Sequence, residues 1–163
     1  MGKWKTTTGP AMARLNQAIK DCDKYQSTTG WHESAHYQDG TPVAYVASIQ
    51  EFGYEEGNIP PRSYMRTTAD EKSKEWAQLM ASGCRRIPTG AATIRDVLEM
   101  IALRAEGDVR AKIISIYEPE LAEATLKARA RRRGVKVEDV DGKPLNDTGY
   151  MLATLTSNVG EKS

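Results

Sequence analysis

The stretch IRDVLEMIALRAEGDVRAKIISI, residues 94–116, carries the clearest period in the chain. Ile94, Val97, Leu98, Ile101, Ala105, Val109, Ile113 and Ile116 recur at three- and four-residue intervals and share one stripe of a helix for about six turns. A helix of that length suits a scaffold packed across a sheet or a bundle. Gly107 is expected to weaken it locally, because glycine inside a helix costs roughly 1 kcal/mol relative to alanine. Upstream, Pro88-Thr89-Gly90 separates it from a second long helix, which Thr67 or Thr68 caps and which turns Trp76, Leu79, Met80 and Cys84 inward.

Further towards the N-terminus, Thr41-Pro42 reads as a cap followed by proline at the first helical position. Val43, Val46, Ile49 and Phe52 then share a face, and Gly53 ends the helix. Between this helix and the first long one, residues 54–66 contain Gly57-Asn58 and Pro60-Pro61, which predicts an extended loop stiffened by two fixed φ angles. Before it, Lys24 to Tyr37 is rich in Tyr, Thr, Trp and His without a helical period. That composition predicts a strand or hairpin edge leading into the turn Gln38-Asp39-Gly40, with Tyr25, Trp31 and Tyr37 as packing residues. Earlier still, Pro10 opens a short amphipathic helix with Met12, Leu15, Ile19 and Cys22 on its apolar face, ending near Asp23.

Downstream of the scaffold helix, Pro119 and Leu121 open a short helical or irregular segment. It runs into a basic tract, Lys127, Arg129, Arg131, Arg132, Arg133 and Lys136, and then a turn at Val140-Asp141-Gly142-Lys143. From Tyr150 to Val159 apolar and hydroxyl residues alternate loosely, as in a terminal strand pairing with the early one. Residues 1–8 and 160–163 are expected to fray. With no internal repeat and no low-complexity linker, 163 residues read as a single domain over 1–163.

Lys and Arg total 23 against 22 acids, a net charge of +1, which argues neither for a nucleic-acid-coating protein nor for an acidic solubilising one. Cys22 and Cys84 lack CxxC spacing and suit reduced thiols of a cytosolic product. The N-terminal MGKWKTTTGP has no signal-peptide core, and no stretch approaches the roughly 18 apolar residues of a membrane span, so a soluble protein is expected.

His32-Glu33-Ser34-Ala35-His36 matches H-E-x-x-H, in which two histidines one helical turn apart hold zinc while the glutamate activates its water. That chemistry requires a stable helix. Here Gly30 and Trp31 precede the string and Gln38-Asp39-Gly40 follows it, with no apolar face to bury. In a strand the histidines would lie about 13 Å apart, too far to share one metal. A solvent-facing strand or loop is therefore the expected setting, and no metal or other cofactor is expected. A zinc hydrolase through His32, Glu33 and His36 stays open as an alternative.

The basic tract has no acid between Lys127 and Lys136 and could neutralise phosphates or carboxylates. Without interleaved aromatic residues or a recognition-helix pattern, a salt-sensitive contact with an acidic neighbouring subunit is the favoured reading and a DNA-binding module the other. Glu51, Glu55 and Glu56 form no spaced acid–base pair, and no Gly-rich phosphate loop or nucleophile elbow occurs.

The order of segments carries one more signal. DGTPVAYVASIQEFG (39–53), then IPPRSYMR (59–66), two helices, and PLNDTGYML (144–152) together resemble a family of tailed-bacteriophage proteins known as virion morphogenesis, neck or tail-completion proteins. The likeness spans about residues 25 to 159. Where the family often has proline then phenylalanine after the arginine of the PPR box, this chain has Ser63-Tyr64.

The resemblance implies a non-enzymatic α+β subunit that assembles into a ring, hexameric by expectation, completing the tail tube or joining it to the head. The elements read above agree with a small antiparallel sheet packed with several helices, including two long central helices. The implied partners are copies of itself and other neck and tail proteins such as tail-tube or head-completion subunits, with DNA only as passing genome and no membrane. The implied location is the virion tail or neck, after synthesis in the host bacterial cytoplasm. A cyclic ring needs two different patches on each subunit. The candidates are the loop residues Ile59, Pro60, Pro61, Arg62, Tyr64 and Met65, and the tract Lys127, Arg129, Arg131, Arg132, Arg133 and Lys136. The plain alternative for the loop is that it packs on its own domain.

Overall fold

The computed structural model describes residues 9–145 and 147–162; the fraying expected at 1–8 lies outside them, as do Asn146 of the PLNDTGYML segment and Ser163. In chain order come α1 (Pro10–Lys24), β1 (Tyr25–Trp31), α2 (Val43–Phe52), α3 (Met65–Cys84), α4 (Ile94–Ser115), α5 (Glu123–Arg133), a 3-10 turn (Val137–Asp139), α6 (Tyr150–Ala153) and β2 (Leu155–Glu161). The fold is α+β, with β1 and β2 as a two-stranded antiparallel sheet among the described residues. The terminal strand thus pairs with the early one as the sequence suggests, and α3 and α4 are the two long helices. None of the helices is long and apolar enough to cross a membrane among the described residues.

The chain gathers into two compact units, one comprising residues up to Thr29, Ser73–Ala105 and from Ser157, the other Gly30–Lys72 and Glu106–Thr156. In the first unit, Ala18, Ile87, Ile94 and Val97 form the core, with Cys84, Leu98 and Met100 packed against it. Gly83 of α3 lets α4 come close: a Cβ there would lie 2.9 Å from a Val97 methyl. Thr93 and Asp96 start α4 as a reciprocal cap. The Asp96 carboxylate accepts from the Thr93 N–H at 2.7 Å and its hydroxyl at 2.8 Å, and the Thr93 hydroxyl accepts the Asp96 N–H at 3.2 Å.

Two features of this unit differ from the sequence reading. In α1 the buried residue is Ala18, while Met12 and Ile19 of the expected apolar face are exposed. The end of β2 is tied down through Lys162: its N–H donates to the Lys24 carbonyl at 2.9 Å, its Nζ to the Cys22 carbonyl at 2.8 Å, and Lys24 pairs with Glu161 at 2.8 Å. Gly160 and Glu161, expected to fray, belong to β2.

The second unit has the larger core: Val43, Ala47, Tyr64, Val109, Ile113, Leu145, Met151 and Leu155, flanked by Trp31, Tyr37 and Met65. Trp31 stands edge-on to Tyr64, ring centres 5.9 Å apart, and its indole N–H donates to the Met151 carbonyl at 2.7 Å. The long stripe of α4 feeds both cores, Ile94 and Val97 in one and Val109 and Ile113 in the other. In α2, however, the inward face is Val43, Ala47 and Glu51; Phe52 is exposed, with the Arg66 guanidinium stacked 4.7 Å from its ring. The terminal segment also differs from the expected continuous strand. Gly149, in the left-handed region at φ 75°, starts the single turn α6 before the strand begins at Leu155.

Candidate functional site

Three buried charges, Glu51, Arg62 and Arg129, organise the second unit. At the end of α2, Glu51 supplies the cap that α3 lacks in its own sequence. Its carboxylate accepts the backbone N–H of Tyr64 at 2.7 Å, of Met65 at 2.8 Å and of Arg66 at 3.2 Å, together with the Ser63 hydroxyl at 2.7 Å and Arg66 Nε at 3.0 Å. The first turn of a helix presents unpaired N–H groups and a partial positive charge, and a carboxylate satisfies both. Burial alone pushes the Glu51 carboxyl up. The Ser63 hydroxyl, the Met65 and Arg66 amides and the Arg66 side chain outweigh burial and hold it below the usual carboxylate range. This remote cap explains why α3 begins at Met65 rather than after Thr67 or Thr68. Thr68 lies buried within the helix, its hydroxyl donating to the Tyr64 carbonyl at 2.6 Å.

Gly53 ends α2 and makes room for the loop. Its φ of 81° lies outside the region open to side chains, and a Cβ there would meet Pro61 N at 2.9 Å and the Ile59 carbonyl at 3.0 Å. Tyr54 and Ile59 exchange backbone hydrogen bonds at 2.8 and 2.9 Å, closing a tight turn through Gly57 and Asn58. The loop then runs back along α2, where the Arg62 N–H donates to the Gln50 carbonyl at 2.8 Å.

The Arg62 side chain is only 4% exposed. Its Nε donates to the Pro119 carbonyl at 2.8 Å, one terminal nitrogen to the Glu120 carbonyl at 2.9 Å and the other to the Gln50 side-chain oxygen at 3.4 Å. Arg62 thereby fastens the loop to the segment before α5. Tyr64, a candidate surface residue in the sequence, is fully buried instead, its hydroxyl donating to the Ala47 carbonyl at 2.7 Å; burial raises its phenol above the usual tyrosine value.

The basic tract lies on and just beyond α5, and much of its charge is spent inside the unit. Arg129 is 7% exposed and donates to the carbonyls of Asp141 and Lys143 at 3.2 and 3.0 Å. Asp147 gathers three of the cations: Arg129 at 3.6 Å, Arg133 at 3.1 Å, and Arg132 in direct contact. Lys127 pairs one turn back with Glu123 at 2.7 Å, both side chains well exposed. Arg131 and Lys136 are exposed. The tract's spacing puts Arg129 on the inward face and the other charges outward. Its counter-ion, Asp147, belongs to a sequence box that could not be connected with it before folding.

Loop and tract meet in one place. A cleft of about 950 Å³ within this unit is lined by Ile59, Pro60 and Arg62 from the loop, Arg129 and Arg132 from the tract, and Asp147, Tyr150 and Met151 from the last box. Val46, Leu121 and Leu145 add apolar surface. Leu145 holds a left-handed backbone at φ 61° while its side chain is buried, a strained conformation for a branched residue. Part of each patch read from sequence as a separate surface, Ile59, Pro60 and Arg62 of the loop and Arg129 and Arg132 of the tract, thus lines a single concavity, while Tyr64, Lys127, Arg131, Arg133 and Lys136 do not line it. Pro61 is exposed and Met65 half-buried against the core, so they do not line the cleft.

The H-E-x-x-H string lies elsewhere, in the turn between β1 and α2. The Ser34 N–H donates to His32 Nδ1 at 3.1 Å with the Ser34 hydroxyl 2.7 Å from the same nitrogen, and His36 Nδ1 lies 3.0 Å from the Ser34 carbonyl. His36 and Pro42 form an isolated bridge around the expected turn at Gln38-Asp39-Gly40. The string is not helical, so the one-turn spacing that would aim both imidazoles at one ion is not formed. Among the described residues no three His, Cys, Asp or Glu side chains group as metal ligands. Set against family models, curated proteins and solved structures, the chain matches none.

Proposed function

We propose that this chain is a non-enzymatic assembly subunit of a tailed-phage virion, acting as one member of a ring, hexameric by analogy, at the head–tail neck or the tail terminus. One observation carries the reading: the three sequence boxes of the resemblance converge on one unit. Glu51 of the first box caps the helix that starts at the end of the second. Arg62 of the second and Asp147 of the third line the same cleft. Separate weak motifs thus become parts of one constructed surface, and that surface is a groove of arginines and apolar side chains suited to a protein contact.

In such a ring the loop and the tract form one side of the contact. A heterologous interface then requires a different surface of the neighbouring copy to enter the cleft. The partners are further copies of the chain and the adjoining neck or tail proteins, and the working location is the virion. Light scattering of the purified protein across concentration and salt, beside particles produced without it, tests the reading. A ring-sized mass, or heads and tails left unjoined, is the expected result. A strict monomer whose loss leaves infectious particles intact overturns it.

A further inference from the structure

Arg62 is the one buried charge in the cleft wall without an opposite charge within ion-pair distance among the described residues; the same wall also carries the exposed carboxylate of Glu120. A buried charge is ordinarily paired with an opposite one, because desolvation costs several kcal/mol per ion unless a counter-charge offsets it. Arg62 has no carboxylate within ion-pair distance among the described residues. It donates to three neutral oxygens, leaving two of the five guanidinium N–H groups without an acceptor among the described residues. Its charged neighbour is a second buried cation, Arg129, and the repulsion between the two adds to burial in lowering the Arg62 pKa. The nearby carboxylate of Asp147 is already divided among Arg129, Arg132 and Arg133.

Resting on the assembly reading above, we propose that the cleft receives an acidic segment of a neighbouring protein subunit, one carboxylate flanked by aliphatic side chains, with the carboxylate meeting Arg62 and Arg132. Charge complementarity fixes the acid, and Val46, Ile59, Leu121 and Met151 in the same walls fix the aliphatic flanks. The cleft's volume lies near the top of the roughly 300–1,000 Å³ range of ligand sites, enough for several side chains. Duplex DNA fits less well. Arg62 and Arg129 are recessed at 4% and 7% exposure, within reach of a narrow side chain but not of a stiff phosphate backbone.

The test is an NMR titration of the full chain carrying ¹⁵N-arginine, reading the Nε–H signals. The probes are acetyl-Glu-Leu-Glu-Leu-Glu-amide, its counterpart with glutamine for every glutamate, and a short DNA duplex. The acidic peptide is expected to shift Arg62 and Arg132, with the glutamine peptide at least about tenfold weaker. Arg132→Gln, at a largely exposed position where the ion pair with Asp147 contributes at most about 1 kcal/mol, is expected to weaken the acidic peptide about tenfold with only a small change in melting temperature. Equal response to the glutamine peptide, no response of Arg62 at millimolar peptide, or tighter binding of the duplex overturns the proposal. The scattering and particle assays fail independently: a ring with no peptide response sinks the carboxylate site alone, and peptide binding by a dispensable monomer sinks the assembly reading alone.

Discussion

Glu51 and Arg62 are nearly equally buried, 3% and 4% exposed, and belong to the same unit, yet their surroundings treat charge in opposite ways. The carboxylate receives three backbone amides, a hydroxyl and a guanidinium, so its desolvation is answered from several directions. The guanidinium receives only neutral oxygens and faces a cleft. A charge matched this fully serves the fold; a charge matched in part, beside open space, is available to a partner. The contrast predicts a steep gradient of mutational cost from the α2–α3 junction to the outer face of α5.

The largest effect is expected at Glu51. Glu51→Ala leaves the first amides of α3 and the Ser63 hydroxyl without their acceptor, a loss of roughly 2–4 kcal/mol on the scale of about 1–3 kcal/mol for each buried donor left unsatisfied. Equilibrium denaturation reads it, and a loss below about 1 kcal/mol would remove the cap from the account of the fold. The same group sets a pH dependence. Because its folded pKa is held below the unfolded value, its contribution is complete above the unfolded carboxylate range and disappears as pH falls through the depressed folded value. Wild-type stability should therefore fall on acidification in that window, and the fall should flatten in Glu51→Ala.

Gly53→Ala comes next. Its backbone, φ 81° and ψ 170°, belongs to a region that is essentially glycine's alone, and the new methyl would press on Pro61 and Ile59. A cost of roughly 2–3 kcal/mol is expected from the strain. A melting temperature equal to wild type would mean that the loop can leave α2 freely, contrary to the close approach observed.

Arg62→Gln is expected to cost less than either, roughly 1–2 kcal/mol. Glu120, one of the two backbone acceptors, lines the open cleft, and removing an incompletely matched charge recovers part of its desolvation. A cost as large as that of Glu51→Ala would show that Arg62 is structural first, and would weaken its assignment to a partner.

These positions also mark how far the sequence could be read. The period of α4 is visible because eight apolar residues repeat it, and both cores use that stripe. The pairing of the first and last strands follows from composition at the two ends. The hydrophobic pattern of α2 points to Val43, Val46, Ile49 and Phe52, of which only Val43 is fully buried, because hydrophobicity cannot reveal that Glu51 turns inward to hold another helix. For the same reason the local signal for the start of α3 is a threonine, while the cap arrives from Glu51 on the preceding helix. In α1 the small Ala18 is buried where bulkier Met12 and Ile19 stay outside, a choice that depends on the close neighbour and not on periodicity. The cleft was legible only as two unrelated patches, since nothing along the chain connects Arg62 with Arg129 or either with Asp147.

The smallest effect is expected at Lys127, and it tests whether the basic tract acts as one patch. Lys127 and Arg129 are two residues apart on α5, but Arg129 is buried among carbonyls and Asp147, whereas Lys127 makes an exposed pair with Glu123. Exposed pairs at this spacing contribute roughly 0.3–0.5 kcal/mol, so Lys127→Ala should change unfolding by no more than that and should lose even this difference in high salt. It should also leave acidic-peptide binding unaltered, because Lys127 does not line the cleft. If Lys127→Ala weakened the peptide as much as Arg132→Gln, the tract would be attracting acid through its summed charge, and the geometry of the cleft would not be selecting the arginines that face it.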